Sequence, residues 1–133
     1  SNEVPAITNA ESNAQGTATI TFNIPRDASG AVTGPGTWNV QAVLSGFTAD
    51  STIRLAHIHI GGTGVAGTIF IDTGLTVANA IPLPGGSGTV NFTGVTLPQS
   101  QAQEVINNPA GYYFNMHTPL NPGGAVRGQL VRQ

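Results

Sequence analysis

The amino-acid sequence predicts an all-β protein, an antiparallel Greek-key sandwich or barrel with one short helix. Three observations carry that reading. Apolar and polar residues alternate with period two in several stretches, as half-buried strands require. Clusters of Gly, Pro, Asn and Asp break the chain at close intervals, so the strands are short and joined by turns. Only one stretch combines helix-forming residues with helix start and stop signals. At 133 residues the chain reads most simply as a single domain, 1–133, long enough to bury a core.

The N-terminal Asn2-Glu3-Val4-Pro5 reads as extended or irregular, because Pro5 disfavours helix before it. Residues 17–24 then alternate without a break, which places Ala18, Ile20, Phe22 and Ile24 inward and the Thr and Asn residues outward. A turn around Asp27-Ala28-Ser29-Gly30 leads to a second strand, with Trp38, Val40, Ala42 and Leu44 on its inner face. Residues 53–60 form a third strand, ended by the glycine-rich loop 61–67. Strands follow at 68–72 and, after a Pro- and Gly-rich connection, at 88–93. Ser100-Gln101-Ala102-Gln103 fits a helix-capping box, and Pro109 and Gly111 stop that helix after about two turns. Residues 112–117 and 125–131 close the chain as strands, for seven or so in all.

Composition narrows the function. The four basic residues are all arginine and scattered, and the formal charge is −2, which argues against nucleic-acid binding through phosphates. Charged residues make up 8% of the chain, against about 25% in an average domain. A surface of Thr, Asn, Ser, Gln and Gly suits an extracellular β-protein. There is no cysteine, hence no disulfide and no thiolate ligand. No apolar run approaches the roughly 20 residues of a membrane span. No leader peptide is visible, and Ser1 is compatible with a processed N-terminus.

The chemistry concentrates in two segments. All three histidines lie in Ala56-His57-Ile58-His59 and Asn115-Met116-His117. Strand residues two apart share a face, so His57 and His59 project together while Ile58 and Ile60 point into the core. On the other segment Tyr113, Asn115 and His117 share one side, and Phe114 and Met116 take the other as core partners of Ile58 and Ile60. Three imidazoles with an open position suit copper(II), with zinc(II) as the alternative. Tyr113 and Asn115 are placed to orient a ligand or a bound water. Arg127 is read either as a surface arginine or as an anion contact on the same face. Asn91-Phe92-Thr93 fits both a glycosylation acceptor and a plain alternating strand.

Several motifs together resemble the CHRD (chordin-type) domain family. They are Asn2-Glu3-Val4-Pro5, Gly16-Thr17-Ala18-Thr19, Ala56-His57-Ile58-His59, Asn115-Met116-His117-Thr118 and Pro122-Gly123-Gly124-Ala125-Val126-Arg127-Gly128-Gln129-Leu130. The resemblance implies an extracellular or periplasmic domain with a fold similar to copper–zinc superoxide dismutase, which also carries a His-x-His copper strand. Three histidines are too few for that enzyme's bridged two-metal centre. The family's domains also carry an apolar strand directly before the Asn-Glu-Val-Pro-like motif, and this chain starts at that motif.

The functional expectation is therefore a secreted module holding one copper or zinc ion through His57, His59 and His117. A structural subunit that self-associates through sheet edges into an oligomer or filament is the second reading, with residues 1–9 of a neighbouring chain completing the sheet. A mononuclear copper redox enzyme and growth-factor binding are two further readings, the last by family analogy alone.

Overall fold

The computed structural model describes residues 2–133. Its strands are β1 (Gln15–Asn23), β2 (Gly36–Ser45), β3 (Thr52–Ile53), β4 (Leu55–Ile60), β5 (Ile69–Asp72), β6 (Ile81–Pro82) and β7 (Gly88–Leu97). They are followed by helix α1 (Gln99–Asn107), β8 (Tyr112–His117) and β9 (Val126–Gln129). All pairings between these strands are antiparallel. One sheet has the order β1-β2-β7, a second the order β5-β4-β8-β9, and β3 pairs with β6 in a small ribbon.

The alternation read from the sequence explains the core. Trp38, Val40, Ala42 and Leu44 on β2 are all buried, while the intervening Gln41 and Val43 face out. They join Ala56, Ile58, Phe114 and Met116 of the second sheet in one hydrophobic cluster. The sheets meet where Trp38 sets its ring edge-on to Phe114, centroids 6.3 Å apart. Phe22 makes the corresponding edge contact to Trp38 from β1, at 6.4 Å.

The expected elements form, with four differences. The strand expected over 53–60 is split into β3 and β4, which belong to different sheets. Ile60 does not reach the core: as the last residue of β4 it is 44% exposed, and its partner Tyr112 packs on Phe70 instead. The capping box does not form. Pro98 is the helix N-cap, without a side-chain cap bond, and Gln103 accepts from the Val32 amide and donates to Asn107. Finally, the inward face of β1 is only partly covered, with Ala18 exposed and Ile20, Phe22 and Ile24 half-buried. β1 is an outermost strand, and hollows of about 430 and 520 Å³ run between it and β9.

Trp38 is fully buried, and its Nε1–H has no hydrogen-bond partner among the described residues. An unpaired buried donor costs about 1–3 kcal/mol, so replacing the indole by a phenyl ring removes that penalty along with some packing. Trp38→Ala should destabilise the fold by about 3–5 kcal/mol and Trp38→Phe by less than about 2 kcal/mol. Urea titrations followed by far-ultraviolet circular dichroism would measure both, since the only tryptophan is lost in each variant.

Candidate metal centre

The register of β4 against β8 builds the site. Leu55 lies opposite His117, His57 opposite Asn115 and His59 opposite Tyr113. Two-residue periodicity then puts His57, His59, Tyr113, Asn115 and His117 on the sheet face turned away from the core. On β9, Arg127 pairs with Asn115 and joins the same face. The structure thus brings together every residue that the sequence singled out for this site.

That face is not a solvated one. His57, His59 and His117 are 2%, 7% and 6% exposed, and Arg127, expected as a surface or anion-binding arginine, is 8% exposed. Loop 61–67, loop 118–124 and the N-terminal residues supply the cover. Arg127 donates to the Gly62 carbonyl at 2.9 Å and lies over the Tyr113 ring, its guanidinium carbon 3.5 Å from the centroid. Tyr113 in turn stacks on His59, with centroids 5.0 Å apart and planes 10° from parallel. Asn115 donates weakly to Glu3 at 3.5 Å.

Each imidazole has one nitrogen engaged outside the cluster. His59 Nδ1 is 3.0 Å from the Gly67 carbonyl and His117 Nδ1 is 3.0 Å from the Pro122 carbonyl. A carbonyl oxygen can only accept, so both Nδ1 atoms carry the proton and both Nε2 atoms present a lone pair. His57 turns Nε2 towards the Asp72 carboxylate, 3.7 Å away, and Nδ1 into the cluster.

Inside the cluster, His57 Nδ1 lies 3.1 Å from His117 Nε2. If His57 donates there, its bare Nε2 faces a carboxylate. If it keeps the tautomer that Asp72 favours, two lone pairs face each other across 3.1 Å. A cation between them removes the conflict. His59 Nε2 is buried with no hydrogen-bond partner among the described residues.

The three ligand nitrogens lie within 4.8 Å of one another. Bonds of about 2.0–2.1 Å in a tetrahedral site require nitrogens about 3.3 Å apart, so the widest pair must draw in by at most about 1.5 Å. The donor set fits a metal ion. Burial also holds all three imidazoles in the neutral, metal-competent form: it pushes His57 down to about 4, with His117 as the next cause, and lowers His59 and His117.

Two glycines permit this packing. A Cβ on Gly67 would fall 1.6 Å from the Ile60 carbonyl oxygen, so only glycine lets the loop bring its own carbonyl to His59. At Gly124, with φ at +138°, a Cβ would meet Asn115 Nδ2 at 2.6 Å and Glu3 Oε2 at 2.7 Å.

Sequence reasoning missed three carboxylates. Asp72 ends an apolar run, and only the register, which sets it opposite His57, reveals its place. A bulge assists: β5 pairs Ile71 with Ile58 but Ile69 with His59, so Phe70 is extra. Glu3 and Glu11 are 8% and 0% exposed, in a segment without periodicity to read. Burial raises Glu3 to about 7, against the pull of neighbouring Arg127.

The sequence matches the CHRD domain over residues 1–130 of the 133. No curated protein and no solved structure matches it, so the family assignment does not carry the superoxide-dismutase-like fold with it. CHRD domains occur in extracellular proteins. With the match extending from the first residue through β9, and the His-x-His strand, the second histidine segment and the Gly-Gly-Ala-Val-Arg-Gly-Gln stretch all inside it, the chain belongs to the CHRD domain family.

Proposed function

We propose that this chain is a secreted metal-binding module that holds one copper ion, or alternatively zinc, through His57, His59 and His117. The observation that supports it is the set of imidazoles whose outward nitrogens are engaged or aimed at a carboxylate, leaving three inward ones. An all-nitrogen set of neutral imidazoles favours Cu(II) over Zn(II) by the usual order of divalent affinities. Tyr113 fixes the plane of His59, and Arg127 fixes Tyr113. A bound copper would supply Lewis-acid and one-electron chemistry at this position.

Titration calorimetry with copper(II), backed by electron paramagnetic resonance, tests the reading. The wild-type protein should bind about one equivalent with a nitrogen-rich signal. His57→Ala should weaken binding by at least about a hundredfold, more than the 10–100-fold typical of outer supporting groups. Met116→Leu should change it little, because Met116 is 1% exposed on the core face. Equally tight copper in His57→Ala would show that the ion sits elsewhere.

Protons compete with the metal for each imidazole. Since His57 is depressed to about 4, competition sets in well below the ordinary value of about 6.5. Copper affinity should therefore hold from about pH 8 to about pH 5 and fall steeply below about pH 4. The metal-free protein follows the same sign. Its unfolded chain takes up the His57 proton first, so the contribution of this group to stability is full above about 6.5 and is lost as pH falls towards 4. An affinity flat down to about pH 3 would exclude a histidine site.

A second reading, self-association through sheet edges, is favoured by the opening between β1 and β9. Among the described residues no strand pairs with the free side of β1. The half-buried Ile20 and Phe22 line the hollows with Leu130, a setting for an extended segment of another copy. Ser1 lies outside the described residues. Glu3 and Asn9 of the expected donor, residues 1–9, bond to Asn115 and Asn121 of their own chain, so donating that segment would break those contacts. Light scattering and negative-stain microscopy should show oligomers or filaments that Ile20→Lys abolishes without unfolding the chain. A monomer at every concentration would overturn this reading.

A further inference from the structure

The N-terminal residues reach Asn115 through Glu3 and the 118–124 loop through Asn9, and end in a buried carboxylate. Glu11 is 0% exposed and accepts three short hydrogen bonds: from Ser51 Oγ on one oxygen, and from Thr118 Oγ1 and Asn121 Nδ2 on the other, each at 2.6 Å. Asn9 adds a bond from its Nδ2 to Asn121 Oδ1 at 2.7 Å, and its Oδ1 accepts the Glu11 amide at 3.0 Å. The bonds of this cluster go to Ser51, Thr118 and Asn121 rather than to a histidine ring.

Its target is the loop that follows β8. Thr118 adjoins His117 in sequence, and its hydroxyl oxygen also accepts the Asn121 amide at 3.1 Å. Asn121 precedes Pro122, whose carbonyl receives the His117 Nδ1 proton at 3.0 Å. Glu11 therefore holds both residues that shape the turn carrying that carbonyl. If the turn relaxes, His117 loses its hydrogen bond to the Pro122 carbonyl, and the proton is free to move to Nε2, where a metal would bind.

We propose that Glu11 is a positioning residue for the metal centre: through Thr118 and Asn121 it fixes the Pro122 carbonyl, and through that the His117 tautomer, so that docking of the N-terminal segment and metal affinity are one linked equilibrium. The affinity half of this proposal rests on the copper reading above; the tautomer half does not. By reciprocity, a metal that favours the ordered turn must tighten the hold on residues 9–14 by the same factor.

The experiment uses Glu11→Gln, which keeps shape but sets an NH2 against donors, and Thr118→Val, which at near-constant volume deletes both the bond to Glu11 and the one from the Asn121 amide. Nitrogen-15 chemical shifts of the metal-free protein report the His117 tautomer directly. Wild type should show the proton on Nδ1 alone, and both variants a mixture of Nδ1–H and Nε2–H forms. Trp38→Phe, a change in the core away from the strap, should leave the His117 tautomer as in wild type. Copper affinity should fall by about 10–100-fold in both strap variants. Hydrogen exchange at the Ser12 and Ala14 amides, which bond to the Asn9 and Glu11 carbonyls, should slow on adding copper. A wild-type His117 tautomer in both strap variants overturns the proposal, as does unchanged copper affinity in a wild type that binds. Absence of copper binding by wild type overturns the copper reading instead, and the tautomer result still decides the role of Glu11. Should Glu11→Gln not fold, Ser51→Ala, which removes a bond to Glu11 without touching the 118–124 turn, settles it by the same readouts.

Discussion

The pairing of β4 with β8 is the constraint on which both the core and the site depend. One register, with Ile58 opposite Phe114 and His59 opposite Tyr113, assigns each residue of both strands to a face. Ala56, Ile58, Phe114 and Met116 go to the interior, and the histidines go together to the other side. A slip of one residue would exchange the two sets, burying imidazoles among apolar side chains and exposing the core. Packing against Trp38 therefore enforces the geometry of the histidine cluster as firmly as any contact within it. Stability and site are two faces of one ladder.

Burial on the outer face has its own physical demand. Three imidazoles, a guanidinium and a carboxamide lie under cover, and buried polar groups must be satisfied or they cost free energy. Backbone carbonyls do most of this work: Gly62 for Arg127, Gly67 for His59, Pro122 for His117. Loops can present carbonyls at arbitrary angles, which a strand edge cannot, and glycine lets them come close. His59 Nε2 stands outside this accounting. In a face where nearly every donor has been given an acceptor, a bare buried lone pair within reach of two other imidazoles is a position that could hold a cation.

The strands and the ligand triad were legible in the sequence because both depend on period two alone. Trp38, Val40, Ala42 and Leu44 needed only alternation to be placed inward, and His57, His59 and His117 needed only alternation plus adjacency of two segments. What alternation cannot supply is registration and cover. Asp72 became visible only when pairing set it opposite His57, and Glu11 only when an aperiodic segment was found across the site. Arg127 could be placed on a face but not judged buried, because its exposure is decided by the Tyr113 ring beneath it and the 61–67 loop beside it. The family resemblance supplied the order of the motifs; the depth at which the histidines lie came from the loops.

The distribution of cover runs against the usual hydrophobic logic. In an ordinary sandwich the apolar faces are shielded first and the polar ones left to water. Here the polar histidine face is shielded almost completely, while Ala18 is exposed and Ile20, Phe22 and Ile24 are only half-covered. The N-terminal segment is held to Asn115 by Glu3 and to Thr118 by Glu11, and among the described residues the β1 edge has no partner strand. Covering apolar surface is worth about 25 cal/mol per Å², so leaving it open carries a real cost. That cost is offset if keeping the imidazoles dry, neutral and fixed matters to the protein more than closing its sandwich, or if a second chain closes it. Either way, Glu3 and Glu11 commit the segment to the side of the sheet that carries Asn115 and the 118–124 loop, and the apolar side of β1 stays open among the described residues.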